Sequence, residues 1–269
     1  MTSIRDTPTG RTVVSEEDLS IGRSAANGLC LAEPVGARKR ERVFVGEGRA
    51  GCVAEPLDGG DPVRMEHGLL ALPSEDDPRI TVYEHRWGGW VVERSGEADR
   101  DVKTGDVVRA GDRAWRLHCR PLMAGKRFAH PVQTPPVSLL VSSDGECLEV
   151  RFGTKERQLA VRARDEDYLL LTLVRSCLAS RRDDAKDWER GWIYEDRAPG
   201  RPDGTPRRVD LDVFRIRRRA GALGMRYPVD LILRHAETRQ LRIGARQVSL
   251  WVRGRGGVEQ RALSSTFSG

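Results

Sequence analysis

The chain has 269 residues and a net charge of +6, enough length for two modest domains, each with its own core. Its five cysteines, Cys30, Cys52, Cys119, Cys147 and Cys177, stand far apart. That argues against a zinc cluster or a disulfide framework and for a reducing compartment. A polar start over Met1–Gly10, and the lack of any apolar run near the ~20 residues of a membrane span, lead us to expect a cytoplasmic protein without a membrane partner.

Residues 12–120 alternate short apolar runs with turn residues. Candidate strands are Leu29–Leu31, Arg42–Val45, Leu69–Leu72, Ile80–His85, Trp90–Glu93, Val107–Ala110 and Ala114–Cys119. Gly, Asp and Pro clusters separate them, the pattern of an all-β sandwich. Within this half, Gly46-Glu47-Gly48-Arg49-Ala50-Gly51 spells a dinucleotide fingerprint. The following Cys52–Gly60 contains Pro56 and Gly59 and cannot continue as the long helix that fingerprint needs, so a glycine-rich hairpin loop is expected. Residues 121–136 carry Pro121, Pro131, Pro135 and Pro136 and read as a linker.

Beyond the linker, Ser138–Ser142 and Cys147–Phe152 flank a Ser-Asp-Gly-Glu turn and predict a hairpin. A helix starts at Asp165, with Glu166 and Asp167 in its first turn complementing the dipole. Its core positions are Leu170, Leu173, Val174, Cys177 and Leu178. After a Gly/Pro-rich loop, Thr205 caps and Pro206 opens a second helix. Val209, Val213, Ile216, Ala220 and Leu223 form its apolar face, and Gly224 stops it. Arg208, Asp212, Arg215 and Arg219 share another face. Arginine outnumbers lysine 41 to 5 along the chain, so the placement of these arginines says more than their number. Leu231–His235 and Gln240–Ile243 make a last hairpin, and residues 251–269 read as a flexible tail.

The fold class expected is therefore two-domain: an all-β sandwich over 10–120, followed by an α+β winged helix over 137–250. Two resemblances sharpen this. Arg207-Arg208-Val209-Asp210-Leu211-Asp212-Val213, running into Ile216-Arg217-Arg218, with the closing hairpin, resembles the DNA-binding effector domain of response regulators. The resemblance implies that Arg215 reads a base in the major groove. It places Arg207, Arg208 and Arg217 on phosphates, and Arg234, Thr238 and Arg239 at the wing. Arg219 joins the set through the face it shares with Arg208 and Arg215.

Leu19-Ser20-Ile21-Gly22-Arg23-Ser24, the Trp90–Gly96 run and Thr104–Asp112 resemble a forkhead-associated domain. This implies a phosphothreonine-peptide site with Arg23, Ser24 and Ser95 at the phosphate. Glu97-Ala98-Asp99 stands where that family has Asn-Gly.

The five histidines (His67, His85, His118, His130, His235) show no metal-ligand or catalytic spacing, and Walker loop and serine elbow are missing from the sequence. No cofactor and no enzymatic activity are expected. The sequence thus reads as a transcriptional regulator that binds duplex DNA and takes a protein partner, phosphothreonine-bearing or from a Ser/Thr kinase pathway; a homodimer stays open. The alternative is a signalling adaptor whose helical half is a protein-binding scaffold that does not touch DNA.

Overall fold

Leu69–Leu72 and Trp90–Val92 are apolar at successive positions instead of every second one, which requires the strands that carry them to be buried on both faces. The computed structural model shows how. It describes residues 51–86, 88–120, 134–154, 157–180, 191–198, 208–235, 237–254, 257 and 259–266, and, before residue 31, the backbone of four short strands. Those four are β1 (Thr2–Asp6) paired with β2 (Arg11–Ser15), and β3 (Ile21–Gly22) paired with β4 (Leu29–Cys30). The strand expected over Arg42–Val45 and the glycines of the dinucleotide-like stretch before Gly51 lie outside the described residues.

Next come β5 (Cys52–Pro56), β6 (Val63–Arg64), β7 (Leu69–Ser74), β8 (Asp77–Glu84), β9 (Trp90–Glu93), β10 (Arg100–Val102), β11 (Val107–Ala110) and β12 (Arg113–Cys119). They build two four-stranded antiparallel sheets, ordered β10-β9-β8-β7 and β11-β12-β5-β6. Leu70, Leu72, Val82 and Val92 of the first meet Ala54, Val108, Trp115 and Leu117 of the second in one core. The alternate residues Leu69, Ala71, Tyr83 and Val91 face the other way and pack with Phe214 and Val229 from the second half of the chain. The first sheet is thus covered on both faces.

The second half contains β13 (Val137–Val141), β14 (Cys147–Thr154), β15 (Arg157–Arg162), α1 (Asp167–Ala179), β16 (Ile193–Tyr194), α2 (Val209–Ala222), β17 (Ile232–His235), β18 (Gln240–Ile243), β19 (Gln247–Arg253) and β20 (Glu259–Thr266). A five-stranded sheet runs β15-β14-β13-β19-β20, in which β13 and β19 pair parallel. Glu259–Thr266, within the stretch read as tail, is a strand of this sheet. A three-stranded sheet runs β16-β18-β17. Leu170, Leu173 and Val174 of α1 join Val213, Ile216 and Ala220 of α2, with Ile232, Leu241 and Ile243, in the second core. Thr205 and Pro206 lie outside the described residues; Gly224, at φ 93°, follows the helix in the left-handed conformation that glycine adopts freely.

The expected fold class is corrected. The chain is dominated by strands in several small sheets, with two α-helices among the described residues, and it does not form a clear forkhead-associated sandwich followed by a winged helix. The physical reason lies in α2 and β19. A recognition helix must leave one face open, but α2 buries Val213 and Ile216 in one core and Phe214 in another. The 247–253 segment inserts beside β13 as a parallel neighbour, a non-local pairing that the local hydrophobic pattern does not encode. Among the described residues, no helix is long and apolar enough to cross a membrane.

Candidate functional site

Arg215, Arg217 and Arg218 of α2 point at carboxylates of the first half. Arg217 Nη1 lies 2.8 Å from Glu93 Oε1, with the two side chains 3% and 5% exposed. Arg234 of β17 reaches the same Glu93 oxygen at 3.3 Å, Glu195 at 3.1 Å and Asp210 at 2.8 Å. Burial alone would push the Glu93 carboxyl up; Arg217 and Arg234 outweigh it and hold the carboxyl below its usual range.

Around this buried centre runs an exposed rim. Arg208 pairs with Asp77 at 2.6 Å and Arg215 with Asp76 at 3.6 Å. Arg218 bridges Glu66 and Glu75, each at 3.0 Å. Arg219 turns the other way, to the buried Asp167 at the start of α1. The fit is close enough that Gly221 has no room for a side chain: a Cβ there would collide with the His67 carbonyl oxygen.

The residues expected at DNA are thereby distributed. Arg217, Arg219 and Arg234 are internal, their side chains 3%, 9% and 7% exposed. Arg208 and Arg215 face the acidic turn between β7 and β8. Arg239 is exposed, with φ 53°, and lies 3.6 Å from Glu195, while the exposed Thr238 donates to Gln240. Arg207 lies outside the described residues.

Of the residues expected at a phosphopeptide, Arg23 and Ser24 also lie outside the described residues. Ser95 lies in a cleft of about 380 Å³ lined by Arg79, Arg94, Ser95, Arg109, Ala110, Gly111 and Asp210. Arg79 of β8, Arg94 of the β9–β10 turn and Arg109 of β11 bring three arginines to its lining. Arg79 folds over the β11–β12 turn, its Nη1 3.0 Å from where a Gly111 Cβ would stand. Arg94 donates to the Arg109 carbonyl and pairs with Glu97 at 2.8 Å. Arg79 pairs with Asp77 at 2.8 Å. Ser95 Oγ donates to Glu195 Oε2 at 3.1 Å, and Asp210 on the rim is held by Arg234.

Arg79, Arg94 and Arg109 are not among the residues that the sequence motifs single out. The available signal was alternation in β11, where Val108 and Ala110 point inward and Arg109 outward, and the Arg-Ser-Gly turn at 94–96.

A second cleft, of about 330 Å³, lies between the β14 end and the α2 terminus, with Phe152, Leu159, Leu223, Met225 and Tyr227 among its lining residues. Among the described residues no three His, Cys, Asp or Glu side chains group as a metal site. The chain matches no protein-family model, no curated protein and no solved structure.

Proposed function

We propose that the chain is a signalling adaptor that binds a phosphorylated segment of a protein partner in the Arg79–Arg94–Arg109 cleft, with α2 serving as an internal joint. The observation that carries this reading is the division of the arginines. Arg217 and Arg219 of α2 are buried against Glu93 and Asp167, whereas Arg79, Arg94 and Arg109 line an open cleft beside Ser95, where Arg79 and Arg94 pair with the more exposed Asp77 and Glu97.

A phosphoryl group brings close to two negative charges and three acceptor oxygens, which planar guanidinium forks match. The Asp77 and Glu97 carboxylates compete weakly, because exposed ion pairs contribute only about 0.2–1 kcal/mol each. A cytoplasmic location, with Ser/Thr kinases as the source of the modification, belongs to this reading.

The test is binding of the full chain to a degenerate phosphothreonine peptide pool and to the same pool unphosphorylated. The proposal expects binding that depends on phosphate and weakens about tenfold, or roughly 1.4 kcal/mol, in Arg109→Ala. Equal binding of both pools, or an unaffected Arg109→Ala, overturns it.

A further inference from the structure

Cys52 opens β5 and Cys119 closes β12, and the register sets them directly opposite each other. The hydrogen bonds of this pair define which positions are which. Arg120 N–H donates to the Gly51 carbonyl and Leu57 N–H to the Ala114 carbonyl, both at 2.9 Å. Gly51/Arg120 and Leu57/Ala114 are therefore hydrogen-bonded positions, and by alternation Cys52/Cys119 is a non-hydrogen-bonded one. Facing Cα atoms there stand about 4.5 Å apart, inside the roughly 4.4–6.8 Å that a disulfide spans.

The two sulfurs lie 2.7 Å apart, with Cys52 1% and Cys119 4% exposed. That separation is only about 0.7 Å more than an S–S bond of about 2.0 Å. The backbone around them is already tied down. Thr104 Oγ1 donates to the Cys119 carbonyl and accepts from its N–H, and Trp90 Nε1 donates to the Arg120 carbonyl at 3.0 Å. Cys147 and Cys177 belong to the other core and do not compete for either sulfur.

We infer that Cys52 and Cys119 are a redox site: they close to a cross-strand disulfide by exchange with a small-molecule disulfide, and the bond staples the ends of the sheet that carries Arg109. In the first step a Cys thiolate attacks one sulfur of oxidised glutathione, forming a mixed disulfide and releasing one glutathione thiolate. The second Cys thiolate then attacks the protein-side sulfur and releases the other glutathione. Two protein thiols are oxidised, one glutathione disulfide is reduced to two thiols, and the two protons pass to them.

The staple joins the points where the chain enters and leaves the two-sheet unit, so the oxidised form resists opening of that unit. Both thiols are buried, and the hydrogen bond between them, with burial, pushes the Cys52 thiol far up. Exchange therefore proceeds through opening of the strand ends.

The experiment equilibrates the full chain in glutathione buffers, reduced and oxidised, with free thiols trapped by N-ethylmaleimide before tryptic digestion. The expected result is a linked pair of peptides, 50–64 and 117–126, and a urea midpoint higher in the oxidised buffer. The Cys52→Ser/Cys119→Ser variant should show one midpoint in both buffers. A Cys30→Ser/Cys147→Ser/Cys177→Ser variant should keep the shift between the two buffers, from a lower starting midpoint because Cys177 is buried, so the site stays testable if the first variant folds poorly. Both thiols trapped free after oxidation, a link from Cys52 to another cysteine, or a linked protein with an unchanged midpoint each overturn the inference.

Discussion

Arg217 and Glu93 stand 124 residues apart in the chain and 2.8 Å apart in space, buried together where α2 packs on the first sheet. Removing Arg217 leaves Glu93 desolvated with Arg234 at 3.3 Å as its remaining partner, at a cost of up to about 3–5 kcal/mol. Arg217→Ala should therefore lower the urea midpoint strongly. Arg215→Ala should cost less than about 1 kcal/mol, because its partner Asp76 is 94% exposed. Equal effects of the two substitutions would contradict the buried-joint account.

The same pair sets a pH signature. Glu93 has its carboxyl depressed in the folded state, so its contribution is present above the ordinary glutamate value of 4.5 and is lost as pH falls through the depressed value. Asp167 and Asp230 are pushed up by burial and act in the opposite sense, stabilising towards acid and fading as pH rises through their folded values. Comparison with Glu93→Gln isolates the Glu93 contribution. The stability gap between parent and variant should be constant near neutrality and narrow below 4.5; a gap that stays constant into acid would contradict this.

Gly221 measures the closeness of α2 to the His67 turn. Gly221→Ala places a methyl against the His67 carbonyl and should destabilise by about 1–3 kcal/mol, despite the better helix propensity of alanine. The reverse sign in a urea titration would show that the helix and the turn are not in contact.

Much of the local structure was legible. The apolar face Val209, Val213, Ile216, Ala220 and Leu223 is the face that α2 presents to the second core, and the hairpins at 137–154 and 232–243 follow their turn residues. The second buried face of α2 was not legible, because Phe214 and Gly221 sit among Arg215, Arg217 and Arg218 and break any simple apolar stripe. Arginine on a helix reads as solvent-facing or phosphate-facing until its carboxylate is known, and Glu93 is distant in sequence. The parallel β13–β19 pair and the Cys52/Cys119 pair are hidden for the same reason: both depend on register between remote segments. The unbroken apolar runs at 69–72 and 90–92 announce a sheet covered on both sides.

In the cleft, the exposed Arg109 makes no ion pair among the described residues. Arg109→Ala should leave stability within about 0.5 kcal/mol of the parent, so that its loss of phosphopeptide binding reads as a contact and not as unfolding. A large drop in the thermal midpoint would assign Arg109 a structural role instead.

The central claim, that the arginines of α2 hold the molecule together and do not read nucleic acid, is tested most directly by titrating the full chain with pooled duplex DNA across a range of salt. The account predicts weak duplex binding with no sequence enrichment, unchanged by Arg208→Ala/Arg215→Ala. Tight binding with a steep salt slope, enrichment of particular sequences and loss of both in that variant would contradict it, because phosphate contacts release counterions and internal ion pairs do not.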